Sequence, residues 1–192
     1  MQDWAAFRDG GQWDRLRAVY APGATTTVSW FDGPATEFVD RCRQMAATSE
    51  VAAHHVMGTS QSDRCGGRAL VESRVTILMR LALHGVPCDV TAVSRFIDRV
   101  VRQDGAWLIA SRVAVFEKDG IQPVYPGDHL KLDRAALDTY PPAYRFCTYA
   151  LVARGGTPNL SLPAPGSPAL AALHEAGRAW LAGAVNPAGG PA

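Results

Sequence analysis

Residues 69–118 read ALVESRVTILMRLALHGVPCDVTAVSRFIDRVVRQDGAWLIASRVAVFEK, and this stretch decides the fold class. In its first third Ala69, Val71, Ser73, Val75, Ile77 and Met79 fall on one side of a period-two pattern, with Glu72, Arg74 and Arg80 on the other. That is the signature of a strand with one buried face. Gly85-Val86-Pro87 predicts a turn, and a second strand follows over about Asp89 to Arg102. Asp104-Gly105 is the strongest hairpin dipeptide in the chain, leading into a third strand from Ala106 to Lys118. Long strands joined by tight turns make an antiparallel meander.

Upstream, His54 to Ser60 predicts another strand and Cys65-Gly66-Gly67 the turn after it. The first twenty residues differ in texture. Trp4 with Phe7, and Trp13, Leu16 and Tyr20, repeat at helical spacing, with Gly10-Gly11 as the break and Pro22-Gly23 as the stop. Ala24 to Trp30 favours a strand. Asp32-Gly33-Pro34 predicts a turn and a helix start, and Phe38, Cys42 and Met45 mark that helix's apolar face. Helices first and a meander afterwards give an α+β fold. Residues 1–120 read as one domain. Residues 121–192 read as a proline-rich extension with helices over Ala143 to Ala153 and Ser167 to Leu181, then a frayed tail.

Composition narrows the function. The 192 residues are 47% apolar and 19% charged, with a formal charge of +1. Such a chain can build a core, but it has no basic surplus for a phosphate backbone, which argues against nucleic acid as partner. The most apolar run, Val75 to Val86, is broken by Arg80 and His84 and is too short to span a bilayer. Residues 1–4 carry no export pattern, so the expectation is a cytoplasmic protein with reduced cysteines. Cys42, Cys65, Cys88 and Cys147 show no metal-knuckle spacing, and no metal is expected. Nucleotide-binding glycine loops, HExxH and GxSxG are absent, so no cofactor is expected either. What remains is acid–base chemistry by side chains in a pocket.

Histidine titrates nearest neutrality. His54 and His55 are adjacent on a predicted strand, so one faces inward and the other away, and a one-residue slip exchanges them. A base needs a carboxylate to fix its tautomer. Asp9 stands just before the glycine break, where it suits either that role or capping of the next helix.

The run Asp9-Gly-Gly-Gln-Trp-Asp-Arg-Leu16, then Arg17-Ala-Val-Tyr-Ala-Pro22, resembles the opening of the scytalone dehydratases and, more broadly, of the SnoaL-like branch of the nuclear transport factor 2-like superfamily. Glu37-Phe38-Val39 resembles the family's third helix, His55-Val-Met-Gly58 its His-x-x-Gly strand, and Asp104-Gly-Ala-Trp107 its Asp-Gly-x-Trp hairpin. Together these cover residues 3–120. The resemblance implies a cone of curved antiparallel sheet wrapped by the N-terminal helices, with a pocket for a small molecule inside. It implies an Asp–His dyad, Asp9 and His55, that removes a proton from carbon as a hydroxyl or chloride leaves. It also implies Arg112, five residues after the hairpin Trp107, as a cation for the departing anion. His54, Trp30 and Phe96 are the candidate substrate contacts. The chain departs from the scytalone dehydratases at Arg8, where they have Tyr, and in Thr91 to Ser94, which lacks their second pocket His. The expected activity is a cofactor-independent lyase, with an isomerase, a cyclase or a non-catalytic binder as rivals, in a homodimer or homotrimer.

Overall fold

A computed structural model describes residues 2–48 and 51–183. The elements run α1 (Gln2–Asp9), α2 (Trp13–Ala18), β1 (Tyr20–Val28), β2 (Phe31–Pro34), α3 (Ala35–Thr48), β3 (Ala52–Cys65), β4 (Arg68–Leu83), β5 (Val86–Gln103), β6 (Ala106–Pro123), α4 (Arg134–Asp138), α5 (Arg145–Ala153) and α6 (Pro168–Leu181). The fold is α+β, built on one curved six-stranded sheet in the order β2-β1-β6-β5-β4-β3.

Strands β3 to β6 form the meander that the alternating pattern predicts. Its hairpin turns are tight for a local reason. Asp104 and Gly105 take φ of 48° and 83°, and His84 and Gly85 take 51° and 81°. Both pairs occupy the left-handed region that two-residue hairpins require, which glycine enters without penalty. The second turn therefore sits at His84-Gly85, one residue earlier than expected, and Val86 and Pro87 already belong to β5. Two further details depart from the expected layout. The pairing of β1 with β6 is parallel, inside an otherwise antiparallel sheet. The residues Asp32-Gly33-Pro34 lie in a short strand, β2, instead of a turn, because Thr25 to Val28 pair with them across the edge.

Register irregularities bend the sheet. They fall between Met57 and Ser60 in β3, and in β6 at Glu117 and Ala110, opposite the Val93/Ser94 and Arg99/Val100 steps of β5, and extra residues of this kind increase twist and re-aim side chains. The concave face carries Val75, Ala92, Phe96, Ile109, Ala114 and Phe116, and the first three helices close over it through Trp4, Leu16, Phe38, Val39 and Cys42. Phe38 is the hub of this layer. It is 2% exposed and packs on Trp4, Trp30 and Phe31 with ring centroids 6.3, 5.3 and 5.7 Å away.

The C-terminal helices use the rest of the sheet. Helices α4 and α5 build a second apolar cluster with Leu81, Leu83, Cys88 and Val90. Asp119 on β6 fixes the start of α5, accepting the Cys147 N–H at 2.7 Å, as a carboxylate at a helix N-terminus should. Helix α6 starts at a Ser167 cap with Pro168 behind it and lays Leu170 and Leu173 on Ile97, Val115 and Leu70. Gly177 permits the approach, since a Cβ there would stand 3.0 Å from Leu70 Cδ1. Short α4 had no counterpart in the sequence reading, and β6 runs past the expected boundary at residue 120. The tail expected to fray lies outside the described residues from 184 onward.

Replacing Phe38 by Ala removes the ring that joins three aromatic neighbours and leaves a cavity. The expected cost is about 3–5 kcal/mol, read as a lower denaturant midpoint at unchanged slope.

Candidate active site

The site begins at the end of α1. The helix stops at Asp9 because Gly10 and Gly11 follow, Gly11 at φ 65°. The Asp9 carboxylate is thereby turned toward β3 and does not cap α2, whose N-cap residue Gln12 makes no capping bond to the helix backbone. Oδ1 of Asp9 lies 2.7 Å from His55 Nδ1, and Oδ2 accepts the His55 backbone N–H at 2.6 Å. Both oxygens thus hold one residue. The backbone bond has a topological cause: β3 is an edge strand, so this N–H has no strand on that side to receive it, and an uncovered edge donor is a liability.

The register settles the choice between the two histidines. His55 pairs with Ile77 and His54 with Leu78. His55 faces the helices, its side chain only 8% exposed, while His54 points to the other face and is exposed. His54 therefore cannot line a pocket with His55, since successive side chains alternate.

Electrostatics follow from this burial. For His55, desolvation is the largest influence and lowers its pKa below 6.5; Arg8 and Arg112 push the same way, against the opposing pull of Asp9. Burial alone would raise Asp9, but the hydrogen bonds and charge of His55 outweigh it and hold the carboxyl below 3.8. With Asp9 ionised and His55 neutral, Nδ1–H donates to the carboxylate and Nε2 keeps its lone pair. No hydrogen bond is made at Nε2 among the described residues. Arg8 lies 3.4 Å from Asp9 and also reaches Cys42, a thiol that burial pushes up to about 11 and so keeps protonated.

Behind the dyad stands Trp4. Its ring meets His55 edge-on at 5.3 Å and Phe96 at 5.3 Å, and its indole N–H donates to Tyr20 Oη at 2.7 Å. Thr26 Oγ1 adds a bond to the same oxygen at 3.3 Å. Arg112 lies against this group with its guanidinium 4.3 Å from the Trp4 ring centre and 4.1 Å from that of Phe96. It is fully buried and grips Asp98 through Nε at 2.8 Å and Nη2 at 2.9 Å. Burial would disfavour its charge, but Asp98 keeps it a cation. The Arg112 charge is thus directed at a carboxylate of the chain itself.

The structure brings Asp9, His55, Phe96 and Arg112 together through Trp4. It sets Trp30 further out, stacked on Phe38, and His54 outside. Sequence reading missed Trp4, Tyr20 and Asp98. Asp98 carried a usable signal, a carboxylate in step with Ser94, Phe96 and Val100 on the strand's inner face. A cavity of about 450 Å³ opens on the other side of Trp4, lined also by Ser62, Arg64, Val71, Trp107 and Ile109 but by neither Asp9 nor His55. Among the described residues no three His, Cys, Asp or Glu side chains cluster to hold a metal ion, and no helix is long and apolar enough to cross a membrane.

Comparison with known proteins places the fold. The chain is 27% identical over 150 residues to pea pathogenicity protein 2 of Fusarium vanettenii, a match covering 77% of this chain and 64% of that one. An uncharacterized protein of Aspergillus terreus is 26% identical over 166 residues, covering 77% and 60%. The chain therefore spans less than two thirds of the length of these fungal relatives. Among solved structures, a scytalone dehydratase-like protein of Novosphingobium aromaticivorans superposes with a TM-score of 0.55 at 17% identity, over 68% of this chain and 90% of its own. A hexachlorocyclohexane dehydrochlorinase does so with 0.53 at 14%, over 69% and 88%. At such identities the structures show a shared fold. The model of the SnoaL-like domain matches residues 1–113, more than half of the chain, and the protein belongs to the SnoaL-like domain family.

Proposed function

We propose that the protein is a cofactor-independent lyase in which His55 is the general base and Asp9 its orienting partner. One observation carries this reading: both oxygens of the half-buried Asp9 carboxylate bond to His55, leaving Nε2 as the lone pair that can take a proton. Two neighbours of this fold are named for eliminations, a dehydration and a dehydrochlorination. The reaction is written for a small cyclic molecule with a hydroxyl one carbon away from an acidic C–H. His55 Nε2 takes the proton, and the C–H electron pair forms the new double bond as the C–O bond breaks. The proton then passes from His55 to the departing hydroxide, which leaves as water. Asp9 stays ionised throughout and stabilises the imidazolium between these steps. An isomerase or cyclase begins with the same abstraction and differs in where the electrons go next. Arg112, paired with Asp98 beneath Trp4, supplies a fixed positive field behind the imidazole and keeps the aromatic wall in place.

The cavity's position favours a second reading, binding without chemistry, because Trp4 separates it from the dyad. Variants divide the two. In a screen of hydroxylated and halogenated cyclic compounds, His55→Ala should lose about 10²–10⁴-fold in kcat with the fold retained by circular dichroism. No turnover by the parent chain across that screen would leave binding as the surviving reading, and turnover in His55→Ala equal to the parent's would remove His55 from the chemistry.

The pH dependence has a definite sign. The base must be neutral, so kcat/KM should fall as pH drops through a value below 6.5, the depressed pKa of His55. Asp9 raises that value, so Asp9→Asn should move the limb to still lower pH, and NMR titration of the imidazole reads the same shift directly. Stability follows a related course. The unfolded chain takes up a proton on His55 first, so stability declines as pH falls below 6.5. The contribution of Asp9 is complete above 3.8 and is lost as pH falls through its lower folded value.

A further inference from the structure

We infer that the cavity beyond Trp4 is a binding site for a flat, conjugated ring bearing an anionic oxygen, with Arg64 and Trp107 as its recognition pair. Its volume of about 450 Å³ lies within the ~300–1,000 Å³ typical of small-molecule sites. One wall is apolar and comes from strand faces: Ala69 and Val71 of β4, Val100 of β5 and Ile109 of β6. The adjoining edge strand β3 is polar on the same face, and its polarity has a specific backbone cause. From His55 to Met57 the odd-numbered residues of β3 point inward, paired with Ile77 and Val75. The irregularity before Ser60 shifts the register by one, so Ser60, Ser62 and Arg64 pair with Ser73, Val71 and Ala69 and face the same side. Without that bulge Asp63 and Cys65 would face inward and the cation would be outside.

The polar wall is unspent. Ser60 donates to Ser73 Oγ at 2.8 Å, but Ser62 and Arg64 make no side-chain hydrogen bond or ion pair among the described residues. Arg64 lies over the Trp107 ring with its guanidinium carbon 5.8 Å from the centre, and that ring is 39% exposed. The one carboxylate in the lining, Asp3 on α1, makes no ion pair with it. An unpaired guanidinium stacked at the edge of an apolar slot suits a carboxylate or phenolate on a planar ring. The guanidinium binds the oxygen in a charge-assisted bond, and the ring covers Trp107 and the strand wall. The site stands whether or not His55 acts on what it holds, so binding is measured apart from turnover.

The test is calorimetric titration of the full chain with 2-naphthoate and with 2-naphthol, neutral at pH 7. Both should bind. Arg64→Gln should weaken 2-naphthoate about ten-fold, the size of one lost charge-assisted bond, and leave 2-naphthol unchanged. Ser62→Trp, which fills the slot from an exposed edge position, should weaken both. His55→Asn should leave both affinities as they are even where it abolishes turnover. Saturable binding of neither probe, an Arg64→Gln chain that binds 2-naphthoate as the parent does, or loss of both probes in His55→Asn would each overturn the assignment. Since Arg64 and Ser62 are exposed, their variants should fold as the parent does, and circular dichroism checks this.

Discussion

The Asp9 carboxylate holds the site together, because it is where a short helix is tied to an exposed sheet edge. An eight-residue helix such as α1 is too short to be stable by itself, since isolated helices become marginal below ~12–15 residues. Strand β3 has the complementary defect of an unpaired edge. Asp9 answers both with two bonds of 2.6 and 2.7 Å to the backbone and ring of one residue. The ring bond fixes the tautomer of His55, and the backbone bond fixes where that ring stands relative to α1. A structural requirement of the sheet and the preparation of a base are met by the same group.

The second anchor of α1 is Trp4, which would be an ordinary core aromatic if its surroundings were apolar. Instead it rests on the Arg112–Asp98 pair, which is 0% exposed on both side chains. Removing two charges from water is costly, and only close two-point geometry with complete burial of both partners makes such a pair tolerable. Here the pair meets that demand and also presents a cationic surface to two aromatic faces, an arrangement rings favour through their quadrupoles. The indole is held from below by Arg112, at its side by Phe96 and at its nitrogen by Tyr20, so it forms a firm partition between the dyad and the cavity.

Much of this was legible in the chain. The alternation from Ala69 to Met79 placed β4's inner face correctly, and Asp104-Gly105 marked the β5–β6 hairpin because few residues accept positive φ at both central positions. The motifs around Asp9 and His55 led to two side chains that do meet, although the choice of His55 over His54 needed a register that no single strand encodes. What stayed hidden depends on contacts between distant segments. The parallel β1–β6 pairing is set by how the first helices cross the sheet, not by local propensity. The bulge before Ser60 has no proline or special turn residue to announce it beyond Gly58, yet it reverses which half of β3 is polar inside. Arg112 was readable as a cation near the site, but its Asp98 partner lies fourteen residues away on the neighbouring strand, and cross-strand pairing alone makes them neighbours.

These features together make folding and binding difficult to separate in this protein. The residues that dock α1, Trp4 at its first turn and Asp9 at its last, are also the partition and the orienting group of the site. Any movement that opened a path from the cavity to His55 Nε2 would have to displace the indole from Tyr20, Arg112 and Phe96, and so would loosen one of the helix's two attachments. The other attachment would hold, since Asp9 bonds to backbone as well as ring, and α1 would pivot about its C-terminal end without detaching. A site built this way keeps the base and its carboxylate in register, because the group that orients His55 also fastens the helix that carries the wall.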